Sequence, residues 1–356
     1  MAFPDQPVAH LLGSSASVHA LAYSASPGTY ILTGSADRNI RLYNPFPKTG
    51  SSGQDKATAA AGVPEGRLIQ TYSAHGYEVL SLAVAGDNER FASGGGDRAV
   101  FLWDVASAKT TCRFGGTQGH TARINSVCFA GEGDALLVSG SFDTSVRVWD
   151  TRSSASRPVQ VLAEAKDAVT ALAVRGAELL AGSVDGRVRS YDVRMGRCTT
   201  DVIGASVTSL CLARDGRSVL VGSLDSRLRL MDCQNGNCLR AYSHPDWRNE
   251  QLRVQSLLGA GEKYVVAGDE AATQLNDKTG CGSVWAWNLL TGRLVATVKV
   301  PWGPAASDQR RRVIGADGRQ KYRANVISCL AWRNGGWGDQ FCVGGTSGVV
   351  TVFGSL

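Results

Sequence analysis

The sequence lacks the segments that direct a protein out of the cell or into a membrane. The N-terminus, Met1-Ala2-Phe3-Pro4-Asp5, has no basic region followed by an apolar core. No stretch of the chain approaches the apolar length that a membrane span requires. We therefore expect neither secretion nor membrane insertion, and no membrane among the partners.

The chain also lacks the spacings of a metal or phosphate site. None of the nine cysteines forms a Cys-x-x-Cys pair, which argues against zinc. No glycine-rich phosphate loop precedes a helix, because Gly94-Gly95-Gly96 lies in a strand-to-turn segment. We expect no metal and no cofactor. An odd number of cysteines, several of them on predicted strands, fits a reduced cytosolic or nuclear compartment.

The overall charge is mild. Charged residues make up 19% of the chain and the net charge is +6, which alone does not indicate nucleic-acid binding. The hydrophobic fraction of 43% is ordinary for a globular protein. Glycine is abundant at 42 residues, which is consistent with many short strands and tight turns.

One phrase recurs along the chain, and its best copy is Gly140–Asp150. The other copies, two of them worn, are Gly34–Asn44, Gly94–Asp104, Gly182–Asp192, Gly222–Asp232, Gly282–Asn288 and Gly344–Phe353. A period of about 40–45 residues with Gly-His and Trp-Asp signatures is typical of a four-stranded propeller blade. Seven copies predict an all-β, seven-bladed propeller that occupies residues 1–356 as a single domain.

Within the best copy, the pattern predicts a turn followed by a strand. Val146 and Val148 alternate with Arg147 and Trp149, a period of two that is typical of a strand. The preceding Gly140–Asp143 has the composition of a turn. Its small first residue suits close packing between neighbouring blades.

The N-terminal segment predicts how the ring closes. Residues 8–12 precede the inner strand of blade one, and we expect them to form the outer strand of blade seven beside residues 349–353. That pairing would cover an edge strand that otherwise invites aggregation.

The repeats resemble those of the WD-repeat family, whose well-preserved blades carry a hydrogen-bonded set of histidine, serine, aspartate and tryptophan. The resemblance implies such sets in blades two and three, at His75, Ser93, Asp97 and Trp103, and at His120, Ser139, Asp143 and Trp149. The other blades lack the full set. Serine, histidine and aspartate also compose catalytic triads. A triad has no reason to repeat from blade to blade, so we interpret the sets as a buried framework.

Three insertions depart from the minimal blade. Residues 45–66 are rich in small and polar residues, which predicts a flexible loop on the bottom face of the ring. Residues 270–280 and 301–324 are predicted on the top face, which carries the turns between second and third strands and the loops that enter each blade. We expect them to be neighbours there, together with residues 243–250, which contain Trp247.

The insertion at 301–324 carries Arg310, Arg311 and Arg312. The top-face turns add further arginines and, near them, a tryptophan; these candidate partner contacts are Arg38, Arg98, Arg187, Arg227 and Trp247. Arginine favours phosphate and carboxylate partners through forked hydrogen bonds. We expect a basic top face beside blades six and seven, with RNA contacted indirectly or through phosphates alone. The alternative is a solvated charge run with no partner.

A second group of arginines lies on the strands themselves. Arg41, Arg147, Arg189 and Arg229 each stand two residues before the aromatic position of their copy. We expect their stems to pack along the blade edge, and we assign them no ligand.

Several phrases in blades two to five are similar to the mitogen-activated protein kinase organizer family, whose members are spliceosome-associated WD-repeat proteins. The similar segments are Thr71–Leu80, Ser93–Val100, Leu102–Ser107, Leu180–Arg189, Tyr191-Asp192, Arg194–Gly196, Ser223–Ser226 and Leu228–Leu230. The resemblance implies a spliceosome component in the nucleus and a cytoplasmic scaffold for kinases of a mitogen-activated cascade. The three insertions make this chain longer than the family pattern.

These observations favour a non-catalytic scaffold over an enzyme. A rigid ring that tethers partners raises their effective concentration. We expect a monomer within a larger complex, with spliceosomal proteins and MAP kinase cascade proteins as partners. The alternative is a substrate receptor of a cullin-RING ubiquitin ligase, because Trp149-Asp150-Thr151-Arg152 is similar to the docking box of such receptors. Arg152 would then contact the adaptor, although an arginine at this place is common in WD repeats.

The arginine cluster of the third insertion yields a direct test. Replacement of Arg310, Arg311 and Arg312 by glutamate should weaken partner binding, because it reverses the charge that a phosphate or carboxylate would meet. Pull-down at several salt concentrations measures the effect. Affinity that is unchanged at moderate salt would show that the cluster is a solvated charge run.

Overall fold

A computed structural model gives the structure of the protein. It describes residues 3–46, 63–153, 155–270, 280–304, 312–314, 320–333 and 339–354. The flexible loop predicted at residues 45–66 lies largely outside these ranges, and so do most of residues 270–280 and the arginines Arg310 and Arg311.

The strands form seven four-stranded sheets and one short hairpin, and β1 is Pro7–Leu11. Blade one is β2 (Val18–Tyr23), β3 (Ile31–Ser35), β4 (Asn39–Asn44) and β5 (Arg67–Ser73). Blade two is β6 (Val79–Val84), β7 (Arg90–Gly95), β8 (Val100–Asp104) and β9 (Thr110–Phe114). Blade three is β10 (Ile124–Ala130), β11 (Leu136–Ser141), β12 (Val146–Asp150) and β13 (Gln160–Leu162).

The remaining blades follow in chain order. Blade four is β14 (Val169–Arg175), β15 (Glu178–Ser183), β16 (Arg187–Asp192) and β17 (Arg197–Val202). Blade five is β18 (Val207–Leu212), β19 (Ser218–Ser223), β20 (Arg227–Asp232) and β21 (Cys238–Tyr242). Blade six is β22 (Ser256–Gly259), β23 (Tyr264–Gly268), β24 (Gly282–Asn288) and β25 (Leu294–Val300). Strands β26 (Arg312–Ile314) and β27 (Gln320–Tyr322) form the hairpin, and blade seven adds β28 (Ile327–Trp332), β29 (Gln340–Gly345) and β30 (Val350–Gly354).

The predicted all-β, seven-bladed propeller is confirmed. Each blade is an antiparallel sheet, and in blades one to six consecutive strands are neighbours. The helical content of the described residues is a single 3-10 turn at Glu132–Asp134. Within this part of the chain, no helix has the length and apolar character needed to cross a membrane.

The apolar core lies between neighbouring blades. Tyr72 of blade one packs against Phe91 and Trp103 of blade two, with ring centroids 4.9 and 5.7 Å apart. A glycine in the second strand of most blades lets the next inner strand approach. A Cβ atom added at Gly140 would lie 2.7 Å from Cγ1 of Val169, so no larger residue fits without a shift.

Bulges recur at the upper ends of the inner strands. The register shifts by one residue near the start of the inner strand in six of the blades, blade six excepted. The extra residue often bonds the next blade: Asn125 Nδ2 donates to the Val169 carbonyl at 2.8 Å, and Thr170 Oγ1 donates to the Val207 carbonyl at 2.6 Å. The bulges therefore re-aim polar side chains around the central channel.

Strand β1 completes blade seven. It pairs antiparallel with β30, so that Ala9 lies opposite Val352 and Leu11 opposite Val350. The strand lies at Pro7–Leu11, where residues 8–12 were expected. The backbone of His10 bonds residues 64 and 66, which cover the outer edge of this strand.

The closure pairing predicts a large effect of a single apolar side chain. Leu11 is buried, so Leu11→Ala should lower the free energy of unfolding by about 2–5 kcal/mol through lost burial and the cavity left behind. Urea unfolding measures the change. Leu290→Ala is the matched control, because Leu290 is 79% exposed and its loss should cost less than about 0.5 kcal/mol. Equal costs for the two variants would contradict a closure held by β1.

Candidate functional site: the polar framework of the top face

Blade two contains a continuous chain of hydrogen bonds under its top-face turn. Trp103 Nε1 donates to Ser93 Oγ at 2.8 Å, and Ser93 Oγ lies 2.7 Å from His75 Nε2. His75 Nδ1 in turn lies 2.5 Å from Asp97 Oδ2. The bonds are all satisfied when a neutral imidazole carries its proton on Nδ1. Burial, the dominant effect, lowers the pKa of His75 and favours this neutral form, against the opposing influence of Asp97.

Blade three repeats the arrangement. Trp149 Nε1 and His120 Nε2 both lie 2.8 Å from Ser139 Oγ, and His120 Nδ1 lies 3.0 Å from Asp143 Oδ2. The Asp143 carboxylate also accepts the backbone N–H of Thr121 at 2.9 Å. Burial raises the pKa of Asp143, but hydrogen bonds from His120 and Ser145 outweigh it and leave the pKa well below its usual range.

These hydrogen-bonded sets fix loops in place, and their geometry does not suit nucleophilic attack on a substrate. Ser93 and Ser139 are fully buried, and each hydroxyl oxygen is enclosed between an indole and an imidazole. A nucleophile needs a path to the reacting carbon as well as a base. The carboxylate ends of the sets bind the backbone that leads into the blade, as Asp97 does at Gly76 N (2.8 Å).

Blades one, four and five use a different framework, in which an arginine takes the place of the histidine. In blade four, Arg189 Nη1 donates to Ser183 Oγ at 2.9 Å and Nη2 donates to Asp185 Oδ2 at 2.6 Å. The equivalent groups are Arg41 with Ser35 and Asp37 in blade one, and Arg229 with Ser223 and Asp225 in blade five.

This finding adds ion pairs to the packing along the blade edge that was expected of the strand arginines. Arg41 and Arg189 are buried and form ion pairs with their turn aspartates. Arg147 differs because His120 already occupies Asp143. Its guanidinium instead bonds the Gln118 carbonyl and approaches Ser145 Oγ at 3.4 Å.

The choice between histidine and arginine follows the aromatic position. A buried tryptophan brings an indole N–H that needs an acceptor, which Ser93 and Ser139 supply in blades two and three. Blades one, four and five end in Tyr43, Tyr191 and Met231, and the serine position holds Thr33, Ala181 and Val221. Without that serine and histidine, the turn carboxylate pairs with the arginine.

Blade six departs from both patterns. Its serine position is Ala267, and Trp287 Nε1 is buried with no hydrogen-bond partner among the described residues. Trp285 Nε1 donates to Asp269 Oδ2 at 2.8 Å. Trp247, expected as a partner contact, is a core residue: it is 1% exposed and donates to the Gly268 carbonyl at 2.8 Å.

The top-face arginines occupy two kinds of position. Arg38 and Arg98 directly follow the turn aspartate, have φ of 71° and 60°, and are exposed. Arg187 and Arg227 stand one residue further on and begin the third strand, where Arg187 is half-buried. Arg310 and Arg311 lie outside the described residues, and Arg312 begins β26. In the described part of the chain, no group of three or more histidine, cysteine or carboxylate side chains could hold a metal ion.

Comparison with known proteins places this architecture in a family. A family model described as WD domain, G-beta repeat matches residues 5–44, 66–104, 111–150 and 196–232. WD repeat domain-containing protein 83 from Rattus norvegicus is 39% identical over 274 residues, which cover 77% of this chain and 76% of that protein. This chain belongs to the family of WD repeat domain-containing protein 83. That is the mitogen-activated protein kinase organizer family, which blades two to five resemble.

Other members of the WD repeat domain-containing protein 83 family match over a similar length. The protein from Xenopus tropicalis is 34% identical over 279 residues, which cover 78% of this chain and 77% of that protein. The homolog from Dictyostelium discoideum is 27% identical over 314 residues, covering 80% and 86%. Membership is consistent with a protein-interaction scaffold.

The ends of the two top-face insertions of this family member meet. Asn325 bonds the Gly280 carbonyl through its backbone N–H at 3.1 Å and the Pro301 carbonyl through Nδ2 at 3.2 Å. The Glu270 carboxylate accepts the backbone N–H groups of residues 250–252 at 2.8–3.2 Å. The insertions therefore begin and end beside the loop that enters blade six.

The bottom face carries the adaptor-docking candidate. Arg152 follows β12, its side chain is 75% exposed, and its Nε lies 3.6 Å from Asp150 Oδ1. It holds no part of the blade framework. A cleft of about 770 Å³ opens between blades three and four, lined by Phe129, Leu136, Val174, Val193 and Arg194 among others.

The arginine frameworks predict a test that separates buried from exposed cations. Arg189→Met should lower the free energy of unfolding by about 3–5 kcal/mol, because it leaves the Asp185 carboxylate buried without its cation. The exposed Arg152→Met is the control, with an expected change below about 0.5 kcal/mol. Chemical denaturation measures both.

The ion pair of Arg189 and Asp185 also predicts how the stability of the fold changes with pH. Burial raises the pKa of Asp185, but hydrogen bonds from Arg189 and Ser183 outweigh it and lower the pKa to about 2, from 3.8 for an ordinary aspartate. The ion pair therefore stabilises the fold fully above about pH 4, and this stabilisation is lost as pH falls through about 2. The difference in the free energy of unfolding between wild type and Arg189→Met should therefore shrink as the pH falls through that range. A gap that is constant with pH would contradict the ion pair as its cause.

Proposed function

We propose that this protein is a non-catalytic scaffold that assembles a complex for pre-mRNA splicing in the nucleus, and that it assembles kinases of a mitogen-activated cascade in the cytoplasm. It acts as a monomer within the larger complex. It binds spliceosomal and kinase-cascade proteins through the faces of the ring, and it contacts RNA at most through phosphates.

The proposal rests on what the polar residues of blades two and three bind in the structure. The serine, histidine and aspartate groups of blades two and three are joined to tryptophan and to loop backbone. The residues that would suit catalysis thus fix the top-face loops in place. Loops on a rigid scaffold are where binding residues concentrate.

Family membership supports the finer part of the proposal. The phrases that resemble the mitogen-activated protein kinase organizer family lie in blades two to five, each of which carries a histidine or an arginine framework. The resemblance implies work with the spliceosome and with kinases. Blades six and seven carry the top-face insertions, so we expect contacts peculiar to this chain there.

Arg152 favours a second candidate, a substrate receptor of a cullin-RING ubiquitin ligase. Its guanidinium is exposed on the bottom face and is held by one long contact to Asp150. A docking arginine has to be available in this way, although exposure alone is common for surface arginines.

Affinity purification of the tagged full-length protein tests both candidates. We expect splicing factors in the eluate from nuclear extract and kinase-cascade proteins in the eluate from cytoplasmic extract, identified by mass spectrometry. Ribonuclease treatment before elution should leave the partners bound, because the contacts are with protein. Splicing factors that are absent from the nuclear eluate would contradict the first choice.

The variant Arg152→Ala, purified in parallel, addresses the second candidate. Loss of a ligase adaptor from the eluate with splicing factors retained would add the receptor role. Arg90→Ala is a control, since Arg90 is also a surface arginine near the bottom turns and pairs with Asp87.

A further inference from the structure

One arginine reaches across the central channel of the ring. Arg253 precedes the inner strand of blade six, and its Nη1 donates to the Asn125 carbonyl of blade three at 2.7 Å. Its Nε donates to the Thr208 carbonyl of blade five at 3.3 Å. Only the channel connects these three blades, and the bonded residues stand at the upper ends of their inner strands. The guanidinium therefore lies in the top-face opening of the channel.

The described residues do not balance the charge of Arg253. No carboxylate in the described part of the chain forms an ion pair with it, and its Nη2 donates to none of the described residues. Burial lowers the pKa of Arg253, and the nearby cation Arg123 lowers it further, to about 10. Glu78, at the same opening, lies 4.0 Å from His19 Nε2. Arg253 is half-buried, and a partly desolvated cation with no counter-ion among the described residues is costly, so the site favours an anion.

Exposed aromatic side chains stand on the same face. Phe142, in the top-face turn of blade three, is 51% exposed, and the Arg123 guanidinium lies 5.0 Å from its ring centroid. Tyr77, in the loop that enters blade two, is 64% exposed. Aromatic and arginine side chains are enriched among the residues that dominate binding energy at protein interfaces.

We propose that the channel opening binds an acidic peptide segment of a partner protein, with one carboxylate side chain on Arg253 and an adjacent apolar side chain on Phe142. The guanidinium meets the carboxylate through Nη2, and Arg123 adds a second positive charge above it. The proposal rests on the scaffold function and names the chemistry by which its top face recognises a partner.

The rim of the opening favours a peptide over RNA. The Glu78 side chain is 39% exposed there and repels a backbone that carries a charge at every nucleotide. A single carboxylate flanked by neutral residues meets Arg253 with less repulsion from Glu78 than a chain of phosphates does.

The test uses the full chain and a library of capped pentapeptides with a central glutamate and randomised uncharged flanks. A second library differs only in a central glutamine. We expect selection of glutamate peptides with apolar flanks, and affinity for the selected peptide, by calorimetry, at least tenfold above that for its glutamine twin. No selection, or equal affinity of the twins, would overturn the proposal.

Variants of the site separate binding from folding. Arg253→Met should reduce the affinity at least tenfold, Arg253→Lys should retain part of it, and Phe142→Ala should weaken it as well. Arg90→Met, on the opposite face, should leave it unchanged. Because Arg253 has no counter-ion among the described residues, Arg253→Met should unfold at the same denaturant concentration as wild type or a higher one. A destabilised variant that still binds the peptide would show that Arg253 only ties the blades together.

Two further outcomes distinguish the alternatives. Should Arg253→Met fail to fold, Arg253→Lys and Phe142→Ala decide the matter, and full affinity in both would overturn the proposal. A capped oligouridylate that binds more tightly than the peptide, and depends on Arg253, would also overturn it. Glutamate peptides that bind while splicing factors are absent from the nuclear eluate would contradict the splicing role and leave the site intact.

Discussion

The carboxylate of the turn aspartate is the group on which the top face depends. In each of the first four blades it accepts a backbone N–H from the loop that enters the blade, at Ser15, Gly76, Thr121 and Lys166. A buried carboxylate is tolerated only when it is paired and hydrogen-bonded. The fold meets this requirement in two ways, with histidine or with arginine, and the loop is fixed in both. In these blades, the position of the top-face loop is therefore set by the aspartate carboxylate beneath it.

The sequence predicted the parts of the fold that depend on periodicity. The period of the repeat indicates seven blades, and alternation as in Val146–Trp149 indicates the strands. The tetrad residues of blades two and three were named from a family resemblance. The structure brings each set together within hydrogen-bonding distance.

What the sequence missed depends on register and on contacts between distant segments. Arg189 lies opposite Ala181, in a blade that lacks the serine and histidine, and its guanidinium pairs with Asp185. The sequence did contain a signal for this role. Among the first five blades, each one that lacks the histidine has an arginine at this position. Arg253 and Trp247 had no such signal. Their environments are made by blades that are far apart in the chain, as with Arg253 and Asn125.

The pairing of β1 with β30 has a consequence for how the molecule is made. The His10 and Thr351 side chains that meet in this sheet are 341 residues apart in the chain. During synthesis, blades one to six can assemble from nearby strands, but the inner edge of β1 has no partner strand until β30 leaves the ribosome. Contacts at such sequence separation form slowly, and an unpaired strand is prone to association with other chains in the meantime. Closure of the ring is therefore the folding step at which we expect the greatest need for chaperones.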